Sequence, residues 1–327
     1  MTGRLGAGPM GEVVGAVCGD GGPAEVAVKI LRHDLATRPA TAPRLRDLVA
    51  EVHGVGGEHL VAVRDCFRDG DVVGLVMDLA PGQSLRRGLA AGGPMAPARV
   101  AEIGAGVARA LAVLHRRRFA HLAVKPENVL VDGDRVKLTG HCLVPLLLAE
   151  SGPQAVLVNT PQYTAPEIPL GRPVGPEADL YSLGVVLYEL SCGVPPFAGR
   201  GTDELPHLLP SRPPGMPDPL WALVAALLAK DPALRPPAER AATDLAAART
   251  ALSGLPSAAA LPEPPLPLDP RRGRFAGVVA GVAALGLLSP AHTADLADPD
   301  LPAPTTLARA VAVPQTPPPP DPGQVTP

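Results

Sequence analysis

The segment His121–Val131, HLAVKPENVLV, decides the fold of this chain. Its polar residues Lys125 and Asn128 follow His121 at a fixed spacing, in a stretch that is otherwise largely apolar. The continuation NVLVDGDRVKLTG has the pattern of two short strands on either side of an Asp-Gly turn. The end of the segment therefore predicts the first strand of a β-hairpin.

The secondary-structure pattern changes character along the first 250 residues. Short valine-rich stretches typical of strands come first: VVGAVC, EVAVKIL, HLVAVRDCF and VVGLVMDL. From Ala98 to Leu114 the apolar residues recur every three or four positions, which predicts an amphipathic helix. Later helices are predicted at DLYSLGVVLYEL, LWALVAALLAK and ERAATDLAAARTAL. A β-rich half followed by a helical half predicts an α+β fold.

Length and composition exclude several classes of protein. With 327 residues, 46% of them hydrophobic, the chain buries a sizeable core. A net charge of −3 gives no basic surface for phosphate backbones, so nucleic acid is excluded as a partner. The four cysteines lack metal-ligand or redox spacing and are predicted to be free thiols in a reducing compartment: Cys18, Cys66, Cys142 and Cys192.

A glycine-rich stretch near the start is a candidate phosphate-binding loop. In GAGPMGEV, glycines at positions 6, 8 and 11 let backbone N–H groups approach a phosphate, although an ordinary turn has the same composition. Lys29 follows one strand later, and by itself it could be a solvated strand residue.

These segments together resemble the protein kinase family. His121, Lys125 and Asn128 match the catalytic-loop pattern His-Arg-Asp-x-Lys-x-x-Asn, and Lys29 matches the lysine that contacts the nucleotide phosphates. Downstream, NTPQYTAPE, EADLYSLGVVLYEL and AKDPALRP match three further kinase segments in order and spacing. The resemblance runs from Gly3 to about Leu252 and is greatest to actinobacterial membrane-anchored serine/threonine kinases.

The resemblance implies a two-lobed kinase-like domain at 1–252, with an N-lobe at 1–77, a hinge at 78–82 and a C-lobe at 83–252. It implies structural roles for His121, Glu167, Asp179 and Arg235, of which Glu167 and Arg235 form an ion pair. The implied nucleotide site consists of Gly6, Gly8, Gly11, Val13, Ala27, Lys29, Met77, Asp78, Ala80, Asn128 and Leu130.

At two positions the chain lacks a carboxylate that the family uses for catalysis. Ala123 stands where the family has the aspartate that accepts the substrate proton, and Leu122 replaces the arginine before it. Gly140, in Gly-His-Cys, stands where the family has the magnesium-binding aspartate of Asp-Phe-Gly. General-base catalysis contributes about 10²–10⁴-fold in rate, and metal stabilisation contributes several kcal/mol. Losing both predicts a loss of nearly all phosphotransfer.

The retained scaffold and the lost chemistry favour a pseudokinase that acts as a scaffold or regulator of other signalling proteins or kinases. Metal coordination would rest on Asn128 alone, so ATP binding is expected to be weak or independent of Mg²⁺. The alternative is an active serine/threonine kinase that uses Glu127 or Asp132 as a substitute carboxylate. The helix carboxylate that pairs with Lys29 in the family falls near Leu48, with Asp47 and Glu51 on either side, and the sequence leaves its position open.

The C-terminal quarter predicts a membrane anchor. A linker at 253–270, rich in Pro and Ala, precedes three arginines and then twenty uncharged residues at 275–294. A helix of about 20 residues spans a bilayer of about 30 Å, although the strongly apolar part here stops at Leu288. The arginines place the kinase-like domain in the cytoplasm and the Pro-rich, disordered tail at 295–327 outside. The alternative is a buried or peripheral apolar helix.

Overall fold

The computed structural model describes residues 3–17, 25–152, 161–201 and 204–265. Within these ranges a β-rich first lobe is followed by a helical second lobe. The predicted two-lobed α+β fold is therefore confirmed.

The first lobe is built on a five-stranded antiparallel sheet in the order β1-β2-β3-β5-β4. The strands are β1 Gly3–Gly8, β2 Gly11–Val17, β3 Glu25–Leu31, β4 Val63–Asp69 and β5 Val72–Asp78. Two helices, α1 His33–Ala36 and α2 Thr41–Glu51, connect β3 to β4. β3 is the central strand, and Lys29 lies on it opposite Val13 of β2 and Leu75 of β5.

The second lobe contains a small sheet and most of the helices. The sheet has the order β6-β7-β8, with β6 Gln83–Ser84, β7 Val129–Asp132 and β8 Arg135–Leu138. The described helices are α3 Leu85–Gly92, α4 Pro97–His115, α5 Leu143–Ser151, α6 Glu177–Cys192, α7 Asp218–Leu227 and α8 Ala238–Ala251. The predicted amphipathic helix is confirmed as α4.

The helix α6 is the centre of the second lobe. Its residues are buried from Ala178 to Cys192, as expected for a helix that is mostly apolar around its circumference. Small residues bring its neighbours close, since a Cβ on Gly104 of α4 would lie 2.8 Å from a methyl group of Leu187. The helix ends at Gly193, which adopts the left-handed conformation that glycine favours at this position.

The predicted hairpin is confirmed, and it positions the residues at its two ends. Val129 pairs with Leu138 and Asp132 with Arg135, so the two residues just outside the hairpin meet. The Thr139 N–H donates to the carbonyl of Asn128 at 2.9 Å. The hairpin therefore brings Asn128 and Gly140 side by side.

The predictions for the C-terminal quarter lie largely outside the described residues. This holds for the span at 275–294 and the tail at 295–327. In the part of the chain that is described, no helix combines the length and the apolar character needed to cross a bilayer. The first residues of the predicted linker run along the second lobe, where the Leu261 N–H donates to the Cys192 carbonyl at 2.9 Å.

Candidate functional site

A cleft of about 810 Å³ is lined by residues from both lobes. Ten of the residues singled out in the sequence line it: Gly6, Gly8, Gly11, Val13, Lys29, Ala123, Lys125, Glu127, Asn128 and Gly140. The other predicted nucleotide residues are not among its lining residues: Ala27, Met77, Asp78, Ala80 and Leu130. The cleft thus brings together the glycine-rich loop, the strand lysine and the loop that contains Ala123, Lys125 and Asn128.

The structure requires glycine at only one of the three glycine positions of the first loop. A Cβ on Gly11 would lie 1.9 Å from the carbonyl oxygen of Ile30, so the neighbouring strand requires glycine there. Gly6 and Gly8 have no atom within 4 Å of such a Cβ. Their backbone is therefore open to a ligand in the cleft.

Lys29 enters the cleft without a carboxylate partner. In the described ranges its ammonium has neither a hydrogen bond nor an ion pair, and burial together with the nearby Lys125 lowers its pKa to about 8. On α2, Asp47 and Glu51 are exposed, whereas Leu48 is half-buried and packs on the hydrophobic core. Neither of these two carboxylates of α2 forms a hydrogen bond or an ion pair with Lys29.

The loop at 121–123 is held in place by the buried Asp179. Its carboxylate accepts the backbone N–H of His121 at 2.8 Å and that of Leu122 at 2.7 Å, and it also contacts His115 Nε2 at 2.8 Å. Leu122 has a φ of +58°, a strained conformation for a residue with a side chain. The loop therefore keeps a specific shape although Ala123, at its base position, carries only a methyl group.

Position 140, where the family has its magnesium-binding aspartate, lies against Asn128 in this chain. The Asn128 amide donates to the Ala123 carbonyl at 2.7 Å. Gly140 has a φ of +91°, and a Cβ added to it would lie 2.8 to 3.0 Å from the Asn128 amide atoms. Asn128 thus occupies the space next to Gly140 that a side chain at position 140 would need. Mg²⁺ binds through carboxylate oxygens, and the residues at this position do not supply them.

The remaining carboxylates that line the cleft are bound by Arg86 of α3. Its guanidinium donates to Glu127 at 2.9 Å, to Glu189 of α6 at 2.6 Å and to the Tyr163 hydroxyl at 2.5 Å. The Tyr163 hydroxyl donates in turn to Glu189 at 2.6 Å. Asp132, the other carboxylate considered as a substitute base, is exposed on the hairpin and is not a lining residue.

His141, at the position of the family's phenylalanine, is buried without hydrogen bonds. Its side chain has neither ring nitrogen paired, and it packs between Phe119 and His121 at centroid distances of 6.5 and 5.9 Å. Burial lowers the pKa of His141 to about 3. The His121 ring, by contrast, accepts the Ala123 N–H at 3.1 Å and contacts the Thr139 carbonyl at 3.1 Å. His141 therefore fills an apolar position as a neutral imidazole.

The implied ion pair between Glu167 and Arg235 is present. Arg235 donates to both carboxylate oxygens of Glu167 at 2.7 and 2.8 Å, and both side chains are buried. The Arg235 guanidinium also donates to the carbonyls of Ala229 and Glu177, both at 2.9 Å. This pair ties the segment before α6 to the turn before α8.

Sequence reasoning missed several residues of the cleft: Arg86, Leu143, Val144, Tyr163 and Glu189. One signal was present, because Glu189 is a single carboxylate near the end of the apolar run LGVVLYEL. A carboxylate in a buried helix needs a cationic or hydrogen-bonding partner. Nothing in the sequence indicated that this partner is Arg86.

The geometry defines a two-lobed α+β protein with a glycine-lined cleft between a lysine-bearing sheet and a loop held by a buried aspartate. Residues 1–244 match the protein kinase domain family. The chain therefore belongs to the protein kinase family.

Its relatives are bacterial serine/threonine kinases. Serine/threonine-protein kinase PkaA of Streptomyces coelicolor is 37% identical over 234 residues, which are 67% of this chain and 42% of that protein. PkaB of the same organism is 37% identical over 232 residues, 66% of this chain and 55% of that protein. The chain thus spans about half the length of these curated relatives. The crystal structure of the Mycobacterium tuberculosis PknI kinase domain has a TM-score of 0.59 at 24% identity and covers 74% of this chain and 93% of its own.

Proposed function

We propose that this serine/threonine-kinase-like protein is a pseudokinase that regulates or scaffolds other signalling proteins or kinases and does not transfer phosphate. The observation that carries the proposal is the packing of Asn128 against Gly140. Phosphotransfer in this family uses a carboxylate at the position of Gly140. Here the amide of Asn128 takes up the space beside that position.

The base position supports the same function. Ala123 lines the cleft with a methyl group, and the neighbouring Glu127 is held by Arg86. General-base catalysis contributes about 10²–10⁴-fold in rate, so its loss together with the metal carboxylate leaves little transfer. The scaffold residues Asp179, Glu167 and Arg235 keep their contacts, which supports a role that depends on the shape of the domain.

A phosphotransfer assay tests the proposal. Purified protein with ATP, Mg²⁺ and a generic protein acceptor is expected to incorporate phosphate no faster than its Lys29→Met variant. An active kinase using Glu127 in place of the missing base is the alternative outcome. It would give incorporation that both Lys29→Met and Glu127→Gln reduce, and this result would overturn the pseudokinase assignment.

We also propose that the chain is anchored in the cell membrane by a single span at 275–294, with the kinase-like domain in the cytoplasm and the tail outside. Arg271, Arg272 and Arg274 beside the uncharged run support this orientation. The full chain is expected to sediment with membranes and to resist carbonate extraction, whereas a version ending at Pro270 is expected to be soluble. A full chain that stays soluble without detergent would contradict the anchor, and protease protection of a tag after Pro327 in cells without a wall would contradict the orientation.

A further inference from the structure

We propose that the C-terminal end of α6 is a docking site for short proline-flanked apolar peptide segments, and that the chain's own linker occupies this site in the structure. The site, which we call the linker groove, consists of Pro94, Cys192, Gly193 and Gly215. Its ligand is a peptide with a small residue and, three positions later, an apolar residue that keeps its backbone N–H. The groove lies apart from the cleft, and its role does not depend on phosphotransfer.

The linker faces the second lobe at regular intervals. Ala258, Leu261 and Pro264 are half-buried, whereas the residues between them are exposed. The stretch 255–265 forms neither helix nor strand, and three residues is the repeat of a polyproline II helix. Leu261 packs against the hydrophobic core of the domain. One side of the linker is therefore turned towards the lobe, as in a docked proline-rich peptide.

A backbone hydrogen bond fixes the register of the linker in the groove. The Leu261 N–H donates to the carbonyl of Cys192 at 2.9 Å. Cys192 is the buried last residue of α6, and the last four carbonyls of a helix have no partner inside that helix. A buried carbonyl without a partner costs about 1–3 kcal/mol. The groove therefore requires a backbone N–H from its ligand at this point, which excludes proline there.

Two glycines bring the lobe close to the linker. A Cβ on Gly215 would lie 3.2 Å from the Cβ of Ala258, and a Cβ on Gly193 would lie 3.6 Å from the Cβ of Ala260. The same Cβ on Gly193 would lie 3.6 Å from the ring of Pro94, on the other side of the groove. The close approach at Ala258 favours a small side chain in the ligand, three positions before the residue that donates its N–H.

The linker is a replaceable occupant of the groove. The hydrogen bond of Leu261 contributes about 0.5–1.5 kcal/mol, and half-buried side chains add only part of their apolar area. Tethering adds to this, because a segment joined to the lobe a few residues after α8 has an effective concentration in the millimolar range. When the linker leaves, the Cys192 carbonyl needs a new donor. A proline-rich segment of another protein with the same spacing supplies it.

A peptide titration tests the proposal on the full chain in lipid nanodiscs. The probe is a fluorescent peptide of residues 254–265, GLPSAAALPEPP. Leu261→Asp in the chain removes the apolar contact and is expected to release the linker. This variant is expected to bind the peptide about tenfold more tightly than the native chain, whose groove is occupied. A peptide with N-methylleucine at the position of Leu261 is expected to bind about tenfold more weakly, because it lacks the donor to Cys192.

Leu255→Asp is the matched control. Leu255 belongs to the same linker but is exposed, so this change should leave the linker docked and the peptide affinity at the native value. Hydrogen exchange of the native chain gives a second reading without a variant, in which the Leu261 amide exchanges slowly and that of the exposed Ala259 exchanges rapidly. Equal peptide affinities of the native chain and Leu261→Asp, full binding of the N-methylated peptide, or rapid exchange at Leu261 would each overturn the proposal.

Discussion

Arg235→Met is expected to lower the free energy of unfolding by about 3–5 kcal/mol, because it leaves Glu167 as a buried charge without its partner. Both oxygens of that carboxylate are bound by Arg235 in the native protein. The expected loss for Glu167→Met is smaller, since the guanidinium of Arg235 keeps the carbonyls of Ala229 and Glu177 as acceptors. Urea unfolding followed by the fluorescence of Trp221, the single tryptophan, measures both variants.

The control for this prediction is an ion pair on the surface. Arg116 and Glu239 of α8 lie 3.3 Å apart, and more than half of each side chain is exposed. Exposed pairs contribute about 0–1 kcal/mol, so Arg116→Met should have little effect. The double variant Glu167→Met/Arg235→Met is expected to lose less than the sum of the single losses. An Arg235→Met effect no larger than that of Arg116→Met would show that the buried pair does not stabilise the fold.

His141→Phe is expected to stabilise the protein and to make it less sensitive to acid. At neutral pH the change removes two buried ring nitrogens without partners, and an unsatisfied buried polar group costs about 1–3 kcal/mol. Burial lowers the folded-state pKa of His141 to about 3 from a usual value of 6.5. As the pH falls below about 6.5, the unfolded chain therefore binds a proton that the folded chain does not.

This difference destabilises the folded state by up to about 1.4 kcal/mol for each pH unit between roughly 6 and 4. His141→Phe should remove that contribution and leave the one from His121, whose pKa burial lowers to about 4. Unfolding free energies measured from pH 7 to pH 4 test this. His53→Phe, at an exposed position, is the control and should keep the native slope. An unchanged slope in His141→Phe would contradict the neutral, buried state of this ring.

The overall fold could be predicted because its signals are local and repeated. Valine-rich strands, the helical spacing from Ala98 to Leu114 and the Asp-Gly turn each follow from backbone preferences over a few residues. The ion pair of Glu167 with Arg235 and the structural role of Asp179 could be expected only through the family resemblance. They join residues that are far apart in the sequence, which no local pattern indicates.

The fine structure of the cleft could not be predicted in the same way. The sequence shows that Gly140 lacks a carboxylate, but the left-handed backbone that places it against Asn128 depends on the hairpin ends. It also shows that Glu127 is near Lys125, but its partner Arg86 lies 41 residues earlier, on α3. Charge pairing inside a cleft depends on tertiary packing, and packing is what a single sequence leaves open.

The central claim is that the kinase scaffold is kept while phosphotransfer is lost. Its most direct test is a single-turnover reaction in which the protein is in excess over ATP labelled at the γ-phosphate, with Mg²⁺ or Mn²⁺ present. We predict that transfer to the protein and release of labelled phosphate stay at the rate of the Lys29→Met variant under both conditions. A first-order transfer by the native protein that Lys29→Met abolishes would contradict the account.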